Sequence, residues 1–172
     1  MDGLLNLLKP PGMTSHDCVE ELRGLLGIRR IGHTGTLDPG AAGVLVCCIG
    51  RTTRLSEFLM EQDKAYRVEL VLGVSTTTGD ALGEVLARRE VAVEREDLEQ
   101  VLSRFQGTLQ QVPPMVSAVH HEGRRLYELA RKGIEVERAP RTVTVHEIRL
   151  LRFDPPRALL DITCSKGTYV RQ

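Results

Sequence analysis

No run of apolar residues in this 172-residue chain is long enough to cross a bilayer. The opening MDGLLNLLKPPG lacks the basic, apolar and small-residue succession of a secretion signal, so a cytosolic protein is expected. Cysteine is sparse and poorly spaced for metal binding: Cys18, Cys47, Cys48 and Cys164 include no CxxC pair. Cys47 and Cys48 fall in the apolar run GVLVCCIG, where a strand would send them to opposite faces, and the thiols read as reduced and structural. Neither GxxxxGK[ST] nor GxGxxG occurs, which sets aside the common phosphate-cradling nucleotide sites. Internal repeats and low-complexity linkers are absent as well.

Net charge is also missing, with 23 basic and 23 acidic residues, but the charges are segregated. Residues 23–54 hold five arginines and one acid, Asp38; residues 119–133 hold four basic residues against two acidic; residues 84–100 hold six acidic against three basic. Such a distribution can build a basic face on a neutral molecule, which is all that phosphate contact requires, and ordinary solvated surface is the alternative. What remains, 41% hydrophobic and 27% charged, is globular composition sized for one core-bearing domain or a large part of one.

Local patterns place the elements. Residues 4–8 form a short strand entering the turn Lys9-Pro10-Pro11-Gly12. Thr14, with Asp17 three residues on, caps a helix whose face is Val19, Leu22, Leu25 and Leu26 and which Gly27 stops. A Gly-rich loop, residues 31–43, leads into a buried strand at 44–49 and a short helix at 51–60. A strand at 66–72, a polar loop at 75–80 and a strand near 84–86 follow. Next comes a helix at 96–105, with Val101 and Phe105 four apart, ended by Gly107. A basic stretch with a helix at 126–132 precedes two long strands, 142–153 and 158–164, and a further helix begins at the end. The order predicts an α+β fold with a mixed, largely antiparallel sheet and flanking helices.

The segment from Gly32 to Gly43 has four glycines in twelve residues, letting backbone approach a ligand closely. Its one carboxylate, Asp38, is constrained by Pro39 and is suited to act as nucleophile or general base; a plain Asp-Pro turn is the alternative.

GHTGTLDPGAAGVLVCCIGRTTRL resembles the signature of the TruB family of tRNA pseudouridine synthases. KPPGMTS at 9–15 resembles the family's amino-terminal motif, and DKAYRVELVLGVSTTTGDALG at 63–83 its second motif. VPPMVSAVHHEGRRLYELARKGIEVERAPR resembles its RNA-gripping insertion, about 112–141, and CSKGTYVR its third motif. The GHTG histidine is closer to the bacterial tRNA enzymes than to the guide-RNA-dependent synthases. The resemblance implies a pseudouridine synthase core, with residues 1–172 as the catalytic domain cut after the third motif and without a carboxy-terminal RNA-binding domain.

It also implies isomerisation of uridine 55 in the tRNA T loop, with no cofactor, no metal, no membrane and no obligate protein partner, and a monomer. Asp38 would be the nucleophile, attacking either the base or the sugar. Tyr66 would stack on the base and help remove the C5 proton, with a half-buried strand tyrosine as the alternative. Arg171 would pair with the aspartate, and Tyr169 would line the same pocket or belong to the core. His33 would occupy the space left by the flipped base, and Asp80 would rearrange around substrate or serve a plain turn. Lys9 would contact RNA or support the aspartate loop. Arg124, Arg125, Arg131 and Lys132 would contact phosphates. A tRNA-folding chaperone without turnover is the alternative function; a small-molecule phosphate binder is a third.

Overall fold

A computed structural model describes residues 1–172. The chain forms two compact units, Met1–Gln62 and Asp63–Gln172.

In the first unit, β1 (Gly3–Lys9) alternates outward and inward residues and continues through the Pro-Pro-Gly turn into α1 (Ser15–Leu26). The helix starts where expected: the Thr14 hydroxyl accepts from the Asp17 N–H while the Asp17 carboxylate accepts from the Thr14 N–H, at 3.1 and 2.8 Å. Gly27 ends it in the left-handed conformation, φ 65°, its N–H bonding the Arg23 carbonyl. Two strands follow, β2 (Ile31–His33) and β3 (Gly43–Ile49), then a 3-10 turn at Gly50–Leu55 and α2 (Ser56–Met60). The sheet order is β1-β3-β2. β1 and β3 pair without interruption from Gly3↔Ile49 to Lys9↔Gly43.

Cys18, Val19 and Leu22 of α1 pack on Ile31, Leu45, Cys47 and Ile49, with Leu5, Leu7, Met13 and Ile28 around them. Leu25 and Leu26, expected on this face, are exposed. Cys47 and Cys48 do take opposite faces of β3, and both are fully covered. Burial pushes their thiols, and that of Cys164, above the ordinary cysteine range, which suits inert structural sulfur.

The second unit begins with β4 (Lys64–Val71), followed by a hairpin of β5 (Val74–Thr76) and β6 (Val85–Arg88) and by α3 (Arg95–Ser103). β7 (Gly107–Gln111) comes next, then a second hairpin of β8 (His120–His121) and β9 (Arg124–Arg125), and α4 (Leu126–Ala130). β10 (Arg141–Asp154) and β11 (Arg157–Cys164) close the unit. Its main sheet has order β4-β11-β10-β7, and every strand pairing in both units is antiparallel. Leu98 of α3 packs on Ala158 and Leu160, flanked by Leu70, Leu102, Leu150 and Phe153. The expected helix face of Val101 and Phe105 is instead exposed.

β2, β5 and the β8–β9 hairpin lie in segments read as loops, and β7 in one left unassigned, because strands of two to five residues carry too little alternation to register. Gly107 opens β7 rather than merely ending a helix. The last residues form turns, with the Gln172 N–H on the Tyr169 carbonyl, in place of the expected helix. No helix is long and apolar enough to cross a membrane.

Candidate functional site

The loop around Asp38 is held by the segment KPPGMTS. Lys9, the last residue of β1, points inward and is fully buried. Its ammonium donates to the carbonyls of Pro10 at 2.9 Å, Met13 at 2.7 Å and Pro39 at 3.3 Å. Burying an ammonium is tolerable only when acceptors replace its water, and three carbonyls do so here. The Lys9 ammonium is thereby tied to the loop on the far side of Asp38 through the Pro39 carbonyl.

Gly12, at φ 90°, turns its N–H onto the same Pro39 carbonyl at 2.8 Å, a backbone angle that glycine adopts freely. Ser15, 2% exposed, accepts from the Leu37 N–H at 2.9 Å and donates to the Leu37 carbonyl at 3.3 Å. The residues on both sides of Asp38 are therefore tied down. Asp38 itself is exposed, and its carbonyl accepts the Ala41 N–H at 3.0 Å. An exposed residue on a pinned backbone has its position set before a ligand arrives. His33 ends β2 opposite Cys47 and is half-buried, and the next residue, Thr34, bonds the Val46 carbonyl.

The second unit carries the other expected residues. Tyr66 lies half-buried on β4, opposite Ile162 of β11. One residue on, Arg67 makes a two-point ion pair with Asp161 at 2.8 and 2.9 Å, with Arg149 at 3.6 Å from the same carboxylate. The Arg67 guanidinium holds the Asp161 carboxyl below the ordinary carboxylate value. This charged row crosses β4, β11 and β10 beside the backbone ladder that places Tyr66.

Asp80 closes the turn TTGD: its carboxylate accepts from the Thr78 hydroxyl at 2.6 Å and the Leu82 N–H at 3.0 Å. Arg171 lies against that turn, its Nη1 donating to the Thr78 carbonyl at 3.3 Å and its Nη2 to the Val116 carbonyl at 2.5 Å. A Cβ added at Gly79 would collide with the Arg171 carbonyl, so this contact requires glycine. The Arg171 guanidinium also lies 5.6 Å from the Tyr169 ring centre. Tyr169 is half-buried, with its peptide N–H and carbonyl both bonded to the Gln111 side chain.

Arg124, Arg125, Arg131 and Lys132 are exposed on the 112–141 segment. The two-residue turn Glu122-Gly123, positive in φ at both positions, joins β8 to β9 and presents the first pair. Arg131 lies 5.5 Å over the Tyr127 ring. The buried Leu126 and Leu129 anchor α4 beneath this basic surface.

The structure thus gathers Asp38 with Lys9 in the first unit, which also carries His33. It brings Asp80, Tyr169 and Arg171 together in the second, which also carries Tyr66. Sequence reasoning missed Ser15 and Gln111. Ser15 is masked by the helix start, although a serine directly after the cap is a visible second hydroxyl. Gln111 stands in a strand that the sequence pattern does not reveal.

The family model for the TruB family pseudouridylate synthase N-terminal domain matches residues 23–170. A protein named tRNA pseudouridine synthase B from Symbiobacterium thermophilum is 58% identical over 99% of this chain and 58% of its own length. One of the same name from Moorella thermoacetica is 59% identical over 98% of this chain and 57% of its own. The chain therefore spans under two thirds of the length of these relatives. Among solved structures, a chain of a Cbf5-Nop10-Gar1 complex superposes with a TM-score of 0.73 at 28% identity, covering 98% of this chain and 41% of that one. A chain of an H/ACA RNP bound to a substrate RNA containing 2'-deoxyuridine gives 0.70 at 25% identity, covering 98% and 39%. The α+β architecture is the one those chains share, and the protein belongs to the TruB family of pseudouridylate synthases, of which it carries the N-terminal domain.

Proposed function

We propose that the protein isomerises uridine 55 in the T loop of tRNA to pseudouridine, with Asp38 as nucleophile. The observation that carries this reading is the exposed residue Asp38 on a loop pinned at Leu37 and Pro39. Family membership and the name shared by its relatives support the reaction class.

A uridine stacked in folded RNA must first be extruded, and His33 takes the space it leaves. The Asp38 carboxylate then attacks the base or the anomeric carbon, and the bond between N1 and the ribose breaks. The freed uracil turns and rejoins the sugar through C5, and the bond to Asp38 breaks to restore the carboxylate; C5 loses its proton and N1 gains one, so atoms and electrons balance without redox change or net group transfer. Tyr66 stacks on the base and assists removal of the C5 proton. By the family resemblance Arg171 is the partner of the catalytic aspartate, Tyr169 a pocket residue and Asp80 an acid that adjusts around substrate. Arg124, Arg125, Arg131 and Lys132 hold phosphates, which position the RNA without reading its sequence. The reaction belongs to the cytoplasm, where tRNA is matured.

The test is to incubate the full-length protein with unmodified tRNA and map pseudouridine by position. Product at position 55, and none when that uridine is replaced by cytidine, is expected. Product only elsewhere would overturn the positional claim. Tight tRNA binding without product would favour the folding chaperone.

A further inference from the structure

Gln111 is the last residue of β7, paired with Arg141 of β10. Its side-chain amide does what a peptide group would do in another strand. Oε1 accepts the Tyr169 N–H at 2.9 Å and Nε2 donates to the Tyr169 carbonyl at 3.0 Å, bridging 58 positions of sequence. Five residues after Gln111, the Val116 carbonyl takes Nη2 of Arg171. From the other side, the TTGD turn touches the Arg171 backbone through Gly79 and its guanidinium through the Thr78 carbonyl. Residues 169–171 adopt no helix or strand of their own, so the two-point amide bridge holds both peptide groups of Tyr169 in place of strand pairing, alongside the contacts that hold Arg171.

We propose that Gln111 is a positioning residue for the reaction: it sets the Tyr169–Arg171 segment so that the tyrosine ring and the guanidinium are presented together. This rests on the reading of Tyr169 and Arg171 as pocket residues given above. Among the standard side chains only glutamine and asparagine offer an amide donor and acceptor side by side, and asparagine falls one methylene short. A glutamate at 111 can still accept the N–H, but its carboxylate faces the Tyr169 carbonyl with no proton to give. Protonation restores the missing donor and makes it nearly isosteric with glutamine.

The experiment uses full-length wild type, Gln111→Ala and Gln111→Glu, measuring single-turnover rate, tRNA affinity and melting temperature across pH. Gln111→Ala is expected to lower the rate about 10- to 100-fold, the scale of a displaced reacting group, with affinity nearly unchanged. The rate of Gln111→Glu relative to wild type is expected to rise as pH falls through its carboxyl range, while the alanine ratio stays flat. If Gln111→Ala does not fold, the pH dependence of the glutamate ratio decides alone. A wild-type rate in Gln111→Ala, or a flat glutamate ratio, would overturn the role of Gln111 and leave the isomerase reading intact. Wild type that forms no product would overturn both.

Discussion

The Ser15 hydroxyl accepts the Leu37 N–H at 2.9 Å and donates to the Leu37 carbonyl at 3.3 Å, so one buried side chain fixes both polar groups of the residue before Asp38. Removing it leaves two backbone groups without that partner. Ser15→Ala is expected to cost about 1–3 kcal/mol of stability. The turnover rate should fall about 10- to 100-fold as Asp38 loses its fixed placement. Denaturant midpoints and single-turnover rates on tRNA check this; a wild-type rate would mean that the loop needs no such tie.

On the other side of Asp38, Lys9 binds the Pro39 carbonyl together with those of Pro10 and Met13. Lys9→Met keeps the aliphatic stem and removes the donor. The rate should drop more than tRNA affinity does, with a loss of about 2–3 kcal/mol in stability. Loss of affinity at an unchanged rate would instead assign Lys9 to RNA contact.

Arg124, Arg125, Arg131 and Lys132 are exposed together on one segment. Replacing all four with glutamine should weaken tRNA binding and flatten its dependence on salt, by about 0.7–0.9 in logarithmic slope for each phosphate no longer neutralised. Titrations at several salt concentrations measure the slope. An unchanged slope would make these residues ordinary surface charge.

Asp161 is held below its ordinary pKa of 3.8, first by its hydrogen bonds with Arg67. A depressed carboxyl stabilises the fold above the unfolded-state value and loses that contribution as pH falls through the folded one. Asp161→Asn should therefore be less stable than wild type at neutral pH, and the gap should close below about pH 4. Urea midpoints at both ends test the sign; a gap independent of pH would mean that packing, not charge, holds the β4–β11–β10 register.

Much of this is legible in the sequence where local chemistry decides the outcome. Thr14, Asp17 and Gly27 delimit α1 because caps act over three or four residues. The longest strands and the Asp38 loop are visible for similar reasons. Leu25 misleads because helical periodicity identifies a stripe but not which of its residues the rest of the chain covers. Gln111 is silent because its importance comes from Tyr169, 58 residues away, and no window along the chain contains both. The inward turn of Lys9 follows from strand alternation, but its three carbonyl partners follow only from the fold.

In the proposed reaction Asp38 carries out the isomerisation. Full-length wild type and Asp38→Asn should be incubated with tRNA tritiated at C5 of uridine, with tritium release and tRNA affinity measured side by side. Release by wild type, none by Asp38→Asn, and closely matched affinities are the predicted result. Release by Asp38→Asn at a rate near wild type would contradict the account.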